Sequence, residues 1–454
     1  MRNFSNFEET SAYLDEISKT GSILGLDNIR HLMAELGNPQ DELAFIHIAG
    51  TNGKGSILAY TTNILKCAGY KVGTYLSPTV LGYMERFQIN GEWMKEEELP
   101  AIASQVANAA DRVFQKYGSY PTVFEVETAI AWLYFKQEAC DFVVLECGMG
   151  GETDSTNIVK TTKVCAFASI SMDHMGFLGN SLKEIATVKS GIIKPGATVV
   201  TGFQKKEARD VLIQKAESFG CDYVAKDKRS IRRRRRPLSD SSEESQRDLT
   251  LSQTFSYREF KHMTIHLLGS FQPENAATAL EIVRALRRQG IEISDDAVEN
   301  GLASTRWPGR FEMVWEDPLI IIDGAHNKDA ALRQKESIEK FLPDQKIIAV
   351  LGVFKDKEYQ KMASILAGTF TKVHTMELPN KARTLSAEAL RDTYLAEYKK
   401  LGKDVVVTAE TSMENAVDAA VKEAKEIGGV VLVSGSLSYL GETKKYILKK
   451  AGDQ

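Results

Sequence analysis

Residues 46–60 read IHIAGTNGKGSILAY. An apolar run ends at Ala49, residues 50–55 hold Gly50, Gly53, Lys54 and Gly55, and a helix-like segment follows with Ile57, Leu58, Ile64, Leu65 and Ala68 on one face. Glycines let the backbone approach a ligand closely, and a helix N-terminus offers unpaired N–H groups to an anion. A strand, a glycine loop and a helix in that order, with Lys54 as the cation and Ser56 as a hydroxyl for Mg²⁺, make a phosphate cradle. The spacing departs from the general GxxxxGK[ST] pattern, because Gly50 stands only three residues before Gly53 and Gly55 separates Lys54 from Ser56. A glycine turn with an incidental lysine is the plain alternative, and the flanking strand and helix argue against it.

Working outward, the runs LAFIHIA (43–49), DFVVLECG (141–148), VCAFASI (164–170) and ATVVTG (197–202) alternate with longer helix-like segments, as do parallel strands buried on both faces. A second series begins at PLIIIDGAHN and continues through KIIAVLGV, KVHTMEL, DVVVT and GVVLVSGS. The fold class expected is α/β: a P-loop N-terminal domain with a mainly parallel sheet, residues 1–302, and a smaller Rossmann-like C-terminal domain, residues 313–454. The linker is placed at 303–312, where Trp-Pro-Gly interrupts both periodicities. At 454 residues the chain exceeds what a single core supports, which agrees with two domains. Five consecutive arginines and a Ser/Glu-rich run, about residues 227–248, read as an irregular solvated insertion, since the acidic flank opposes phosphate binding.

A net charge of −4 gives no global attraction to nucleic acid or anionic membrane, so partners must be argued from sites. No run of eighteen apolar residues and no signal-like h-region occurs, and the expectation is a cytoplasmic monomer acting on small molecules. The five cysteines lack CxxC spacing and read as buried thiols rather than a disulfide or zinc framework.

Three further residues carry chemistry. Glu146 ends the apolar run VVLE, and a charge there must be paired or metal-bound to offset its desolvation. His174, in SISMDHMGFLG, follows another apolar strand in the same way, with a structural pairing to Asp173 as the alternative. Lys189, in IATVKSGIIKPG, reads alone as a surface lysine.

Together GTNGKGS, LECGMGGETDSTN, SMDHMGFLG with IATVKSGIIKPG, WPGRFE, DGAHN and VLVSGSLSYLGE resemble the folylpolyglutamate synthase and dihydrofolate synthase group of the Mur ligase superfamily, from residue 25 to the C-terminal strand. The resemblance implies an ATP-dependent amide ligase with its active site between the domains and with reduced folate and L-glutamate as substrates. Asn52, Gly53, Lys54, Gly55 and Ser56 match positions that hold the ATP phosphates. Ser77, Glu146 and His174 match Mg²⁺ ligands, and Lys189 matches a lysine that the family carbamylates. Asn275, Arg310 and Asp323 match nucleotide-binding positions, accompanied by His326. Leu26, Asp27, Thr122, Phe124, Asp154 and Ser155 match the pterin side. Where the family commonly reads GGRLDATN this chain has GGETDSTN, and its SPH is SPT here. Glu152 in place of that arginine favours folate polyglutamylation over dihydrofolate synthesis, with the bifunctional enzyme as the alternative. A peptidoglycan-precursor ligase or a P-loop switch fits less well.

Overall fold

The structure is a computed structural model, and it describes residues 1–19, 21, 25–173, 175–234 and 252–452. Its strands are β1 (Phe45–Ala49), β2 (Val72–Tyr75), β3 (Phe87–Ile89), β4 (Glu92–Trp93), β5 (Phe142–Glu146), β6 (Thr162–Phe167), β7 (Thr198–Thr201), β8 (Tyr223–Ala225), β9 (Ile231–Arg234), β10 (Gln253–Tyr257), β11 (Phe260–Ile265), β12 (Glu312–Glu316), β13 (Leu319–Asp323), β14 (Ile347–Leu351), β15 (Lys372–Thr375), β16 (Val407–Ala409) and β17 (Val430–Ser434).

The first eight strands form one sheet in the order β4-β3-β2-β5-β1-β6-β7-β8. It is parallel from β2 to β8, and only the β2–β3–β4 edge is antiparallel. β1 is buried at every residue because helices cover both faces. Phe45 packs with Trp132 on one side, while Ile46 and Ile48 join the core beneath the helices Lys54–Cys67 and Gln272–Arg288. The chain leaves β1 for β2 on one side and later returns to β6 on the other, so β1 is a topological switch point, where open α/β sheets bind ligands beyond their carboxyl ends.

A six-stranded sheet, β12-β13-β17-β14-β15-β16, builds the C-terminal half, parallel except for β12. Both halves are α/β, as the two apolar series imply. Residues 305–311 connect the helix Asp295–Ser304 to β12.

The insertion read from composition as irregular begins with regular structure. Ile231–Arg234, including part of the arginine run, forms β9 and pairs antiparallel with β10 in a separate three-stranded sheet, β11-β10-β9. Charge density hid this strand: its pairing depends on backbone groups, and Phe255 and Tyr257 of β10 supply the buried side chains. Residues 235–248 of the expected insertion lie outside the described residues. Among the described residues no helix is long and apolar enough to cross a membrane.

Candidate active site

The loop after β1 is pinned from the side, with the Thr51 and Asn52 amides donating to the Ser169 carbonyl at 2.8 and 3.2 Å. Gly53 then turns the chain at φ 101°, a conformation that strains any other residue, and starts the helix Lys54–Cys67 without a side-chain cap. A Cβ at Gly53 would stand 2.7 Å from Asn275 Oδ1, and one at Gly55 would stand 2.7 Å from Trp307 Nε1. The glycines are therefore required by close neighbours within the protein. Ser56 Oγ accepts from Gln272 Nε2 at 3.2 Å.

Charges converge on this loop from both halves of the chain. Lys54 Nζ lies 3.6 Å from Glu146 Oε1 at the end of β5. Burial pushes the Glu146 carboxyl up, against the pull of Lys54 and Arg310. Lys189, on the helix Leu182–Ser190, is only 5 % exposed and donates from Nζ to the Gly50 carbonyl at 3.0 Å. Burial, reinforced by the Lys54 charge, lowers its amine to about 8. From the C-terminal half, Asp323 ends β13 and accepts from the Phe311 and Ala325 amides at 2.8 and 3.0 Å and from Gln334 Nε2 at 2.9 Å. Burial raises its carboxyl while Arg310 opposes the rise. Arg310 is itself held down by burial, despite the attraction of Asp323, Glu146 and Glu85.

His326 Nδ1 lies 2.7 Å from the Gly324 carbonyl, which can only accept, so the ring carries its proton there. Burial, helped by Lys357, lowers its imidazole to about 4, and Nε2 is left as an acceptor. A polar seam ties the halves together: Lys357 Nζ pairs with Asp173 at 2.9 Å, Asn327 Nδ2 donates to Asp173 at 3.2 Å, and the Asn52 and Asn327 amides bond reciprocally at 3.1 and 3.3 Å.

The result is one cleft of about 860 Å³ whose walls include Asn52, Gly53, Lys54, Gly55, Ser56, Ser77, Glu146, Lys189, Asn275, Arg310, Asp323 and His326. Residues separated by up to 274 positions in sequence thus meet at one loop.

The Mur ligase middle domain matches residues 48–283, and the Mur ligase glutamate ligase domain matches residues 309–437. The chain is 32 % identical to the dihydrofolate synthase/folylpolyglutamate synthase of Bacillus subtilis, over 97 % of this chain and 99 % of that one. It is 32 % identical to the folylpolyglutamate synthase of Lacticaseibacillus casei, over 84 % and 87 % of the two chains. The chain belongs to the folylpolyglutamate synthase and dihydrofolate synthase family of Mur ligases. Its fold matches a Mycobacterium tuberculosis folylpolyglutamate synthase, solved with ADP and AMPPCP, at a TM-score of 0.84 with 26 % identity over 98 % and 99 % of the chains. It matches Escherichia coli FolC, solved with DHPP and ADP, at 0.83 with 29 % identity over 98 % and 99 %. Like its family, the chain is an ATP-dependent ligase.

Not every position matched to the family faces the cleft. His174 lies outside the described residues. Leu26, Asp27, Thr122, Phe124, Asp154 and Ser155 gather elsewhere, where the helices Asp27–Glu35 and Val123–Gln137 meet each other and the short turn Ser155–Ile158. Phe124 and Asp154 reach the back of Gly148, a cleft residue: a Cβ there would lie 2.6 Å from Phe124 Cζ and 3.2 Å from Asp154 Oδ2. Asp154 is buried and accepts from the Met149 amide at 2.7 Å and the Thr156 amide at 3.1 Å. Thr122 caps its helix in a reciprocal pair with Glu125, and Asp27 is exposed beside Arg30.

Sequence reasoning missed Asp173 as a partner across the halves, and it missed Lys357 and Arg383. Both cations line the cleft, and Arg383 pairs with Asp356 at 2.9 Å. Lys357 stands past the end of β14, after Lys355 and Asp356, so the rule that found Glu146, a charge ending an apolar run, does not single it out. Arg383 stands in a loop with no such signal.

Proposed function

We propose that this enzyme adds L-glutamate to reduced folates by first converting the folate carboxylate into an acyl phosphate. The observation that carries this reading is the single cleft in which the glycine loop and Lys54 of one half face Arg310, Asp323 and His326 of the other. Carboxylates are poor electrophiles, so an amide-forming site must neutralise charge while a carboxylate oxygen attacks the γ-phosphate. Lys54 and Arg310 are placed to do so, and the loop amides orient the phosphates. The amine of glutamate then adds to the acyl carbon, and phosphate departs from the tetrahedral intermediate. Lys357 and Arg383 are cations suited to the carboxylates of the incoming amino acid. His326 Nε2, neutral and unprotonated, can accept a proton in the same space. Closure of two halves over the cleft keeps water from the acyl phosphate. Since both walls come from one chain, a monomer suffices.

Ser56, Ser77 and Glu146 supply an all-oxygen donor set on the cleft wall, which suits Mg²⁺. When bound, the ion would neutralise phosphate charge. Lys189 is suited to carbamylation, since CO₂ reacts with the neutral amine and burial lowers this one to about 8. With ¹³C-bicarbonate, a carbamate carbon signal is expected to grow as pH rises through that value, because the neutral amine is present above it and lost below, and to be missing from Lys189→Arg. A spectrum without the signal across that range would show the lysine to be unmodified.

The pterin-side group around Phe124 and Asp154 fits a flat heterocycle next to the cleft. Glu152, whose negative charge in place of the family's arginine would repel the carboxylate of dihydropteroate, is exposed and outside the cleft wall. That placement favours a second reading, the bifunctional enzyme, since the repulsion loses its low-dielectric setting. The deciding experiment measures ATP turnover with tetrahydrofolate or dihydropteroate, each with and without glutamate. Turnover that needs tetrahydrofolate and glutamate together is the expected result. Equal use of dihydropteroate establishes the bifunctional enzyme, and turnover indifferent to both substrates overturns the ligase mechanism.

A further inference from the structure

Two helices begin beside the glycine loop. The helix Lys54–Cys67 starts at Gly53, and the helix Gln272–Arg288 starts next to it with Pro273 in its first turn and no side-chain cap. The two share one core, in which Ile57 and Leu58 lie with Ala276, Ala277 and Leu280. Their packing sets Gln272 against Ser56, 216 residues away in sequence.

Gln272 is fully buried and stands outside the cleft wall, which its neighbours Phe271, Glu274 and Asn275 help to line. A buried primary amide must find partners. Its Nε2 donates to Ser56 Oγ at 3.2 Å, and its Oε1 accepts from Asn275 Nδ2, also at 3.2 Å. Both of those partners do reach the cleft. Asn275 turns its own Oδ1 toward the loop, where it would meet a Cβ on Gly53 at 2.7 Å. One amide thus ties a hydroxyl of the phosphate cradle to a side chain at the start of a second helix, from behind the wall that a ligand meets.

This amide adds little to stability. Neutral hydrogen bonds give a modest net gain, these two are at the long end of the usual range, and an apolar side chain of the same length would fill the space without desolvating a polar group. Its effect on placement is larger. A serine in the first turn of a helix can swing its hydroxyl back to a backbone carbonyl of the preceding turn. The N–H of Gln272 occupies one lone pair of Ser56 Oγ from the core side, which leaves the second lone pair and the proton to face the cleft.

We propose that Gln272 is a positioning residue for nucleotide binding: from behind the cleft wall it sets the Ser56 hydroxyl for Mg²⁺ and phosphate and holds Asn275 beside the loop. The assignment rests on residues 50–56 being a phosphate cradle with Ser56 in the metal set, and Ser56→Ala separates the two claims.

The test is calorimetric binding of AMPPCP, in Mg²⁺ and in EDTA, to wild type, Gln272→Met, Ser56→Ala and the double variant. Methionine keeps the length and the apolar stem but has no N–H to give. In Mg²⁺, Gln272→Met is expected to raise Kd about tenfold, the loss expected when the partner that orients a metal ligand is removed. In EDTA the same variant should bind within about threefold of wild type, which shows the rest of the site intact. In the Ser56→Ala background the substitution should raise Kd in Mg²⁺ by no more than about threefold, since no hydroxyl is left to misplace. An unchanged Kd in Gln272→Met overturns the positioning role. So does a tenfold loss that persists in EDTA or in the Ser56→Ala background, which would mark a general disturbance of the fold. If Ser56→Ala binds Mg²⁺ and AMPPCP as tightly as wild type, Ser56 leaves the cradle and the role of Gln272 falls with it.

Discussion

Lys54→Ala is expected to lower kcat/KM for ligation by on the order of 10²- to 10³-fold, the cost seen when a preorganised group that stabilises developing charge is removed. Two effects combine in this substitution. The γ-phosphate loses its cation at the helix N-terminus, and Glu146 loses the partner 3.6 Å away that opposes the effect of its burial. The Glu146 carboxyl should then rise further, weakening the one carboxylate in the proposed metal set. Lys54 has a side chain 17 % exposed, so its loss opens no large cavity and the melting temperature should move by only a few degrees. Kinetics and a thermal melt on the same preparation check both statements. Activity within about tenfold of wild type would refute the phosphate role of Lys54.

What could be read from sequence, and what could not, follows from how far each signal extends along the chain. The glycine loop was legible because strand, turn and helix lie within 15 residues, and each leaves a local mark. Glu146 was legible because a charge at the end of the apolar run VVLE stands out without any knowledge of its partner. Lys189 was not, because nothing local distinguishes a buried lysine that donates to the Gly50 carbonyl from a solvated one. The Lys357–Asp173 pair joins residues 184 positions apart, and the complementarity exists only once the two halves are docked. β9 was misjudged for a related reason: arginines suggest solvent, but an edge strand is held by backbone hydrogen bonds to β10, and composition does not report those.

Burial at this site also has an energetic cost that bears on function. Glu146, Asp323, Lys189, Arg310 and His326 are all shifted toward their neutral forms, with burial as the largest cause in each. Groups held this way gain most when a ligand of opposite charge arrives, because the desolvation has already been met by folding. A site built for stability would pair each charge closely, whereas Lys54 and Glu146 stand 3.6 Å apart. Substitutions that remove such a charge should therefore separate activity from stability.

Glu146→Gln tests that separation most directly. The amide keeps the shape of the carboxyl and can still hydrogen-bond, but it removes the charge that suits Glu146 to a metal. Activity is expected to fall on the order of 10²-fold, and the Mg²⁺ concentration for half-maximal turnover at fixed ATP should rise by about tenfold or more. The melting temperature should hold or increase, because a buried ionised group whose carboxyl is pushed above the ordinary value of 4.5 gives way to a neutral one. The acid side of the pH profile carries the same logic with its sign fixed. On the proposed metal role, activity needs ionised Glu146, so it should decline as pH falls through a value above 4.5, and the residual activity of the Gln variant should lack that limb. A variant that loses activity with an unchanged Mg²⁺ titration and a lowered melting temperature would instead make Glu146 a structural partner of Lys54, leaving the metal to other oxygens of the cleft.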